Sequence, residues 1–134
     1  MLDKANRDLV AFRLNPEYPL DVLFNLVTTI DHIWDWASKD DTLSDEKREA
    51  ARTLRNTNPD VAVIKSLSVG AKHLVLDRTS AAKTEVAEAG WGNMPWGTGP
   101  WGGGTIYRVE VDGTMRDVAD VAADALTAWR DTLA

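Results

Sequence analysis

Hydrophobic and polar positions along the chain follow two periods, one typical of helices and one typical of strands. The longest apolar run with helical spacing is Pro19–Ser38, in which Leu23, Leu26, Ile30 and Ile33 form one stripe. Val27 and Trp34 widen that stripe to more than half of the circumference. A helix this apolar needs neighbours on several sides. We therefore predict that it is the central helix of the fold.

The polar positions of this helix are also ordered. Asn25, Thr29, His32 and Trp36 recur at spacings of four, three and four, which places them along one edge. Such an edge is usually solvated, but it is also the first place to look for a site. We expect His32 to form interhelical hydrogen bonds together with Asn25 and Thr29.

Four further helices are predicted from amphipathic spacing and from start and stop signals. Ser44 and Asn58 are placed as N-caps, and Thr114 is placed as the cap of the last helix. The predicted helices are Leu2–Leu14, a segment from Ser44 to about Asn56, a segment from Pro59 to about Leu74, and Met115–Leu133.

The region before the last helix changes to a period of two. Thr105–Val111 alternates polar and apolar residues, and Thr84–Ala89 is a second short candidate strand. Two strands alone are marginally stable in water, so we expect the hairpin to lay its apolar side on the helices. The sequence predicts a mainly α fold: one domain over 1–134, a bundle of about five helices, with a two-stranded antiparallel hairpin before the C-terminal helix.

The hairpin carries an internal repeat. Three pentads each open with Trp-Gly: Trp91-Gly-Asn-Met94-Pro95, Trp96-Gly-Thr-Gly-Pro100 and Trp101-Gly-Gly-Gly-Thr105. Seven of the nine glycines lie between Gly90 and Gly104, which disfavours both helix and ordinary strand, so 90–104 is predicted to be a loop insertion.

The tryptophans of this loop need cover, because each indole can bury about 150 to 250 Å². They can fold back on the protein's own surface. Alternatively Trp91, Met94, Trp96 and Trp101 form a contact surface for a protein partner or for a second copy of the chain, as in a homodimer. Stacking on single-stranded RNA is a third interpretation, which acidity disfavours because such platforms lie in basic grooves.

Charge and composition exclude several classes of protein. The 134 residues carry a formal net charge of -6 without a basic cluster, so duplex nucleic acid is a poor partner. Cysteine is absent, which removes disulfides, thiolate metal sites and cysteine nucleophiles. The chain has neither a signal-peptide pattern nor an uninterrupted apolar run of membrane length, so we expect a cytoplasmic protein without membrane contact.

Candidate chemistry rests on two histidines, His32 in the central helix and His73 at the end of the fourth. With nearby aspartates they have the residue types for proton transfer or for a metal site, although a structural hydrogen-bonding role is the commoner one. Neither histidine has the spacing of a known ligand motif, and the glycine-rich loop lacks the Lys-Ser/Thr ending that cradles phosphates. No cofactor and no metal are predicted.

Two motifs precede the glycine-aromatic hairpin: Asn25-x-x-x-Thr29-x-x-His32-x-x-Asp35-Trp36 and Gly70-x-Lys72-His73-x-x-Leu76-x-Arg78. With the hairpin, they resemble a family of small uncharacterised helical proteins from bacterial genomes and mobile elements. The helical layout also resembles, more distantly, the HEPN superfamily. Its ribonuclease members use an Arg four to six residues before a helix-terminal His. No arginine stands at that distance from His73, so the resemblance implies that Lys72 takes its place.

Two functions of different classes follow. The favoured one is a non-enzymatic interaction or regulatory protein that presents the Trp/Gly-rich loop to a protein partner or to itself. The alternative is a HEPN-like RNA-binding protein or ribonuclease, with His73, Lys72 and perhaps His32 as catalytic residues.

Overall fold

The structure is a computed structural model that describes residues 1–14, 16–72, 84–89 and 104–134, with side chains for 1–14, 16–70 and 107–134. Its helices and strands follow the predicted order, four helices, a hairpin and a last helix. They are α1 (Leu2–Arg13), α2 (Pro19–Lys39), α3 (Asp45–Thr57), α4 (Pro59–Lys72), β1 (Thr84–Ala89), β2 (Gly104–Val111), β3 (Thr114–Asp117) and α5 (Val118–Leu133). The mainly helical fold class is confirmed.

Helix α2 lies at the centre of the helices together with α5, because each of the two contacts all four other helices. Leu26, Val27, Ile30 and Ile33 have no exposed surface. The broad apolar face predicted for this helix is therefore enclosed on several sides, as the pattern required.

Two side-chain caps set the starts of α3 and α4. The Ser44 Oγ accepts a hydrogen bond from the Lys47 backbone N–H at 3.2 Å, and the Asn58 Oδ1 accepts one from Val61 at 3.1 Å. Each cap satisfies a backbone donor that has no partner inside the helix. Both predicted caps are confirmed, whereas the predicted last residues of α4 beyond Lys72 lie outside the described chain.

Helix α3 is shallowly buried, as its few apolar positions predicted. Ala51 is its one buried residue. The helix also contacts α2 through a cation–π interaction, in which the Arg55 guanidinium lies 5.6 Å from the centroid of the Trp34 ring. Arg55 therefore covers an aromatic side chain and is only partly exposed.

The sheet is antiparallel, with strand order β1-β2-β3. Val109 and Val111 on β2 are buried, and β2 contacts α4 and α5. Strand β2 thus lays its apolar side on the helices, as expected for a hairpin that is too small to be stable alone.

The predicted start of the last helix is wrong by three residues. Thr114 does not cap it; instead Thr114–Asp117 forms a third strand opposite Arg108–Val111. Asp112 and Gly113 have φ values of 49° and 82°, and positive φ at both central residues is what a two-residue type I′ turn requires. The turn reverses the chain immediately, so residue 114 pairs with residue 111. The cap is Asp117, whose Oδ1 accepts a hydrogen bond from the Ala119 N–H at 2.8 Å.

Replacing Ile30 by alanine should test how strongly the fold depends on α2. Ile30 is fully buried, so we expect the free energy of unfolding to fall by about 2 to 5 kcal/mol. Leu20→Ala on the same helix is the matched control, because Leu20 is 48% exposed and the change there should cost about 0.5 kcal/mol or less. Urea denaturation measures both, and equal losses would show that α2 is not the core.

Candidate functional site

The Trp/Gly segment begins and ends at a closed strand pair. The β1–β2 register runs without interruption from Thr84 opposite Val109 to Ala89 opposite Gly104. Residues 90–103 connect that last pair, and Trp91, Met94, Trp96 and Trp101 lie among them, outside the described residues. We call this hairpin, residues 84–111, the ribbon. The candidate site consists of the ribbon and of the residues that hold it on the helices.

The inner half of the ribbon is anchored by apolar and aromatic contacts. Val109 is fully buried, and the Tyr107 ring lies 6.1 Å from the Phe12 ring at a tilt of 42°. A tilted aromatic pair at this distance is a favourable geometry. Strand β3 adds a third strand here, since it pairs with Arg108–Val111.

The outer half of the ribbon has two strands. Residues 87–89 of β1 pair with 104–106 of β2, and β3 does not extend that far. Among the described elements, β1 contacts only β2. The backbone thus forms a two-stranded extension whose inner end lies on the helices and whose outer end leads into the Trp/Gly segment.

Arg116 joins β3 to two helices. Its Nη1 lies 2.7 Å from the Asp60 Oδ1 in the first turn of α4, and its Nη2 lies 2.6 Å from the Asp124 Oδ2 on α5. Partial desolvation lowers the pKa of Arg116, but the two carboxylates outweigh this effect and raise it. Asp60 is also well covered, with 16% of its side chain exposed, so this pair is screened less than a surface ion pair.

The next residue, Asp117, lies at the junction of β3 and α5. It stands opposite Arg108 in the β2–β3 register, and its neighbour Asp120 forms an ion pair at 3.2 Å with Arg13 of α1. Desolvation raises the pKa of Asp117, and the charge of Asp120 adds to this, while Arg13, Arg108 and the capping hydrogen bond act in the opposite direction. Arg116 therefore connects β3 to α4 and α5, Asp117 caps α5, and Asp120 connects α5 to α1.

Sequence reasoning missed these anchors. Arg116 and Asp60 are separated by 56 positions, and no local pattern relates them. Asp117 lies three residues after Thr114, the predicted cap, and was not predicted to be the cap itself. The available signal was the Asp112-Gly113 dipeptide, which favours a hairpin and therefore a strand after it.

The polar edge of α2 is not uniformly solvated. Thr29 is buried, and its Oγ1 accepts a hydrogen bond from the Lys4 Nζ at 2.7 Å and donates one to the Asp8 Oδ2 at 2.9 Å. Lys4 and Asp8 also form an ion pair at 2.6 Å. Lys4 and Asp8 both bind the buried Thr29 hydroxyl, so this cluster joins α1 to α2.

The three candidate catalytic residues are only partly described. His32 is half-buried on α2; of the residues predicted to form interhelical hydrogen bonds, Asn25, Thr29 and His32, Thr29 does so, to Lys4 and Asp8 of α1. The backbone of Lys72 ends α4, while its side chain and the whole of His73 lie outside the described residues. The site formed by His32, Lys72 and His73 therefore stays a prediction.

Comparison with protein-family models, with curated proteins and with solved structures gives no match to this chain. The resemblance to a bacterial and mobile-element family, and the more distant one to HEPN proteins, therefore stay predictions. Among the described side chains, no group of three or more His, Asp and Glu residues could hold a metal ion. In the same part of the chain, no helix combines the length and the apolar character that a membrane crossing requires.

Arg116→Ala should loosen the anchor of the sheet. It leaves the partly buried Asp60 without its cation, so we expect a loss of about 1 to 3 kcal/mol in the free energy of unfolding. Arg52→Ala is the control, because the Arg52–Glu49 pair is exposed on both sides and should contribute about 0.5 kcal/mol or less. Thermal and urea unfolding followed by circular dichroism measures the difference, and equal effects would refute the anchoring role.

Asp117→Asn should change how stability depends on pH. Because the pKa of Asp117 is raised in the folded protein, the native state binds this proton more tightly than the unfolded chain. The carboxylate therefore costs stability above its native pKa, and this cost disappears as the pH falls below the ordinary value of 3.8. The free energy of unfolding of the Asp117→Asn variant, relative to that of the wild type, should be higher at neutral pH than below pH 3.8. The asparagine keeps a side-chain oxygen for the cap.

The control for this substitution is Asp117→Ala, which removes the same carboxylate and should therefore show the same dependence on pH, but which also loses the cap and should be less stable than Asp117→Asn by about 1 kcal/mol at every pH. Urea denaturation at the two pH values measures all three proteins. If the difference in free energy of unfolding between the Asp117→Asn variant and the wild type does not change with pH, the desolvation of Asp117 is contradicted.

Proposed function

We propose that this protein is a non-enzymatic binding module that holds a Trp/Gly-rich segment at the end of a two-stranded ribbon and uses it to contact another protein chain. The observation that supports the proposal is the closed pair Ala89–Gly104 at the outer end of a ribbon whose inner end is anchored in the core. A segment held in this way is fixed at both ends, so less chain entropy is lost when it binds.

The composition of the segment supplies contact area. Three indoles that each bury about 150 to 250 Å² would together cover roughly 600 Å², which approaches the roughly 800 Å² that one partner contributes to a standard interface. Tryptophan is also enriched among the residues that dominate binding energy. The glycines allow the backbone between the indoles to adapt to a partner.

The charge of the ribbon favours a protein partner over RNA. From Thr84 to Val111 the sequence contains three glutamates, one arginine and no lysine. Aromatic platforms for single strands combine stacking with a positive groove, and this stretch has a net negative charge. No contact in the described part of the chain supports the HEPN-like alternative with Lys72, His73 and His32.

The proposal is tested by the triple variant Trp91→Ser, Trp96→Ser, Trp101→Ser, which keeps the full chain. We expect it to lose the partner, measured by capture from host extract, or to lose self-association, measured by light scattering. Its melting temperature should match the wild type, because the body of the protein supplies the core.

Trp36→Ser is the matched control, since Trp36 is the same residue type, 49% exposed, on α2. It should keep the partner. If the triple variant keeps partner binding and self-association unchanged, the proposal is wrong. A clear fall in its melting temperature would show instead that the indoles lie on the protein's own surface.

A further inference from the structure

Strand β1 has one edge that no described strand covers. The sheet order is β1-β2-β3, so β2 is paired on both sides and β1 on one side only. Among the described elements, β1 also contacts no helix. An uncovered edge presents backbone N–H and C=O groups that can pair with another extended chain.

Of the features that usually protect such an edge, β1 has charge alone, in Glu85 and Glu88. Its six residues, Thr84–Ala89, contain no proline and no lysine, and their register with β2 has no bulge. The opposite edge of the sheet differs, because β3 has four residues and is joined to α4 and α5 through Arg116. Pairing with another chain is therefore favoured at β1.

Charge selects the kind of strand that can pair there. β1 carries Glu85 and Glu88 and no cation, in a chain of net charge -6; on β2, Arg108 stands opposite Glu85, while Thr105 stands opposite Glu88. Like charges opposite each other destabilise a strand pair, and opposite charges stabilise it by about 0.2 to 1 kcal/mol per pair. The edge thus disfavours a second copy of itself and favours a basic strand.

We propose that the free edge of β1 is a docking site for an extended, basic segment of a partner protein, which adds a fourth strand to the sheet. Glu85 and Glu88 are three residues apart, so their positions fall on opposite faces of the sheet. A matching strand carries two Lys or Arg residues three positions apart, whether it runs parallel or antiparallel to β1. The inference rests on the proposed function in so far as the same partner also contacts the tryptophan segment.

The probe is a fluorescent six-residue peptide of threonine and valine with lysines at its second and fifth positions, titrated with the full-length protein and followed by anisotropy. A peptide with lysines at its second and fourth positions has the same charge, but both lysines lie on one face. Because it can oppose one glutamate only, it should bind about two- to fivefold more weakly.

Backbone pairing is tested by N-methylation of alternate residues. One set of alternate amides faces the edge and the other set faces away. Methylating the first set should weaken binding by on the order of tenfold or more, since several hydrogen bonds are lost, and methylating the second should not. Equal effects of the two sets, or no binding of the unmodified peptide, would overturn the inference.

Chain variants separate the edge from general charge. In the double variant Glu85→Lys, Glu88→Lys, the peptide with lysines at its second and fifth positions should no longer bind more tightly than the one with lysines at its second and fourth. The double variant Glu46→Lys, Glu49→Lys on α3 makes the same change of charge elsewhere and should keep this preference. Equal loss in both would refute the proposal. The triple tryptophan variant should still bind the peptide, so this result and the test of the proposed function can fail independently.

Discussion

Burial of the apolar face of α2 is the interaction on which the other parts of the structure depend. Leu26, Val27, Ile30 and Ile33 are fully buried, and burying one such side chain contributes about 1.5 to 3 kcal/mol. No single neighbour could cover so wide a face. Four helices therefore surround it, and strand β2 takes a place on α4 and α5.

The anchor of the ribbon combines two kinds of interaction with different magnitudes. Val109 and Val111 are buried and hold β2 on the helices without directional preference. The ion pairs of Arg116 contribute less free energy, but they are directional and connect β3 with both α4 and α5. Hydrophobic burial thus holds the sheet on the body, and the charged groups fix its orientation.

Much of this fold could be predicted from the sequence, because its signals are local. Ser44 and Asn58 cap α3 and α4 as expected, and the period-two pattern identified both strands of the hairpin. The start of α5 could not be predicted in this way, since Thr114 is a plausible cap and only the turn at Asp112-Gly113 places it in a strand. The partners of Thr29 were also missed, because Lys4 and Asp8 belong to another helix and become neighbours only after packing. For the same reason local pattern could not predict the link between Arg116 and Asp60, and the histidine site at Lys72 and His73 stays a prediction.

The division of the ribbon into an inner half with three strands and an outer half with two has an evolutionary consequence. The side chains that anchor β2, such as Tyr107, Val109 and Val111, lie outside residues 90–103. Under the proposed function, selection at 90–103 acts on recognition, while selection at the anchor acts on the fold. Related chains can then keep one scaffold while they exchange one binding specificity for another.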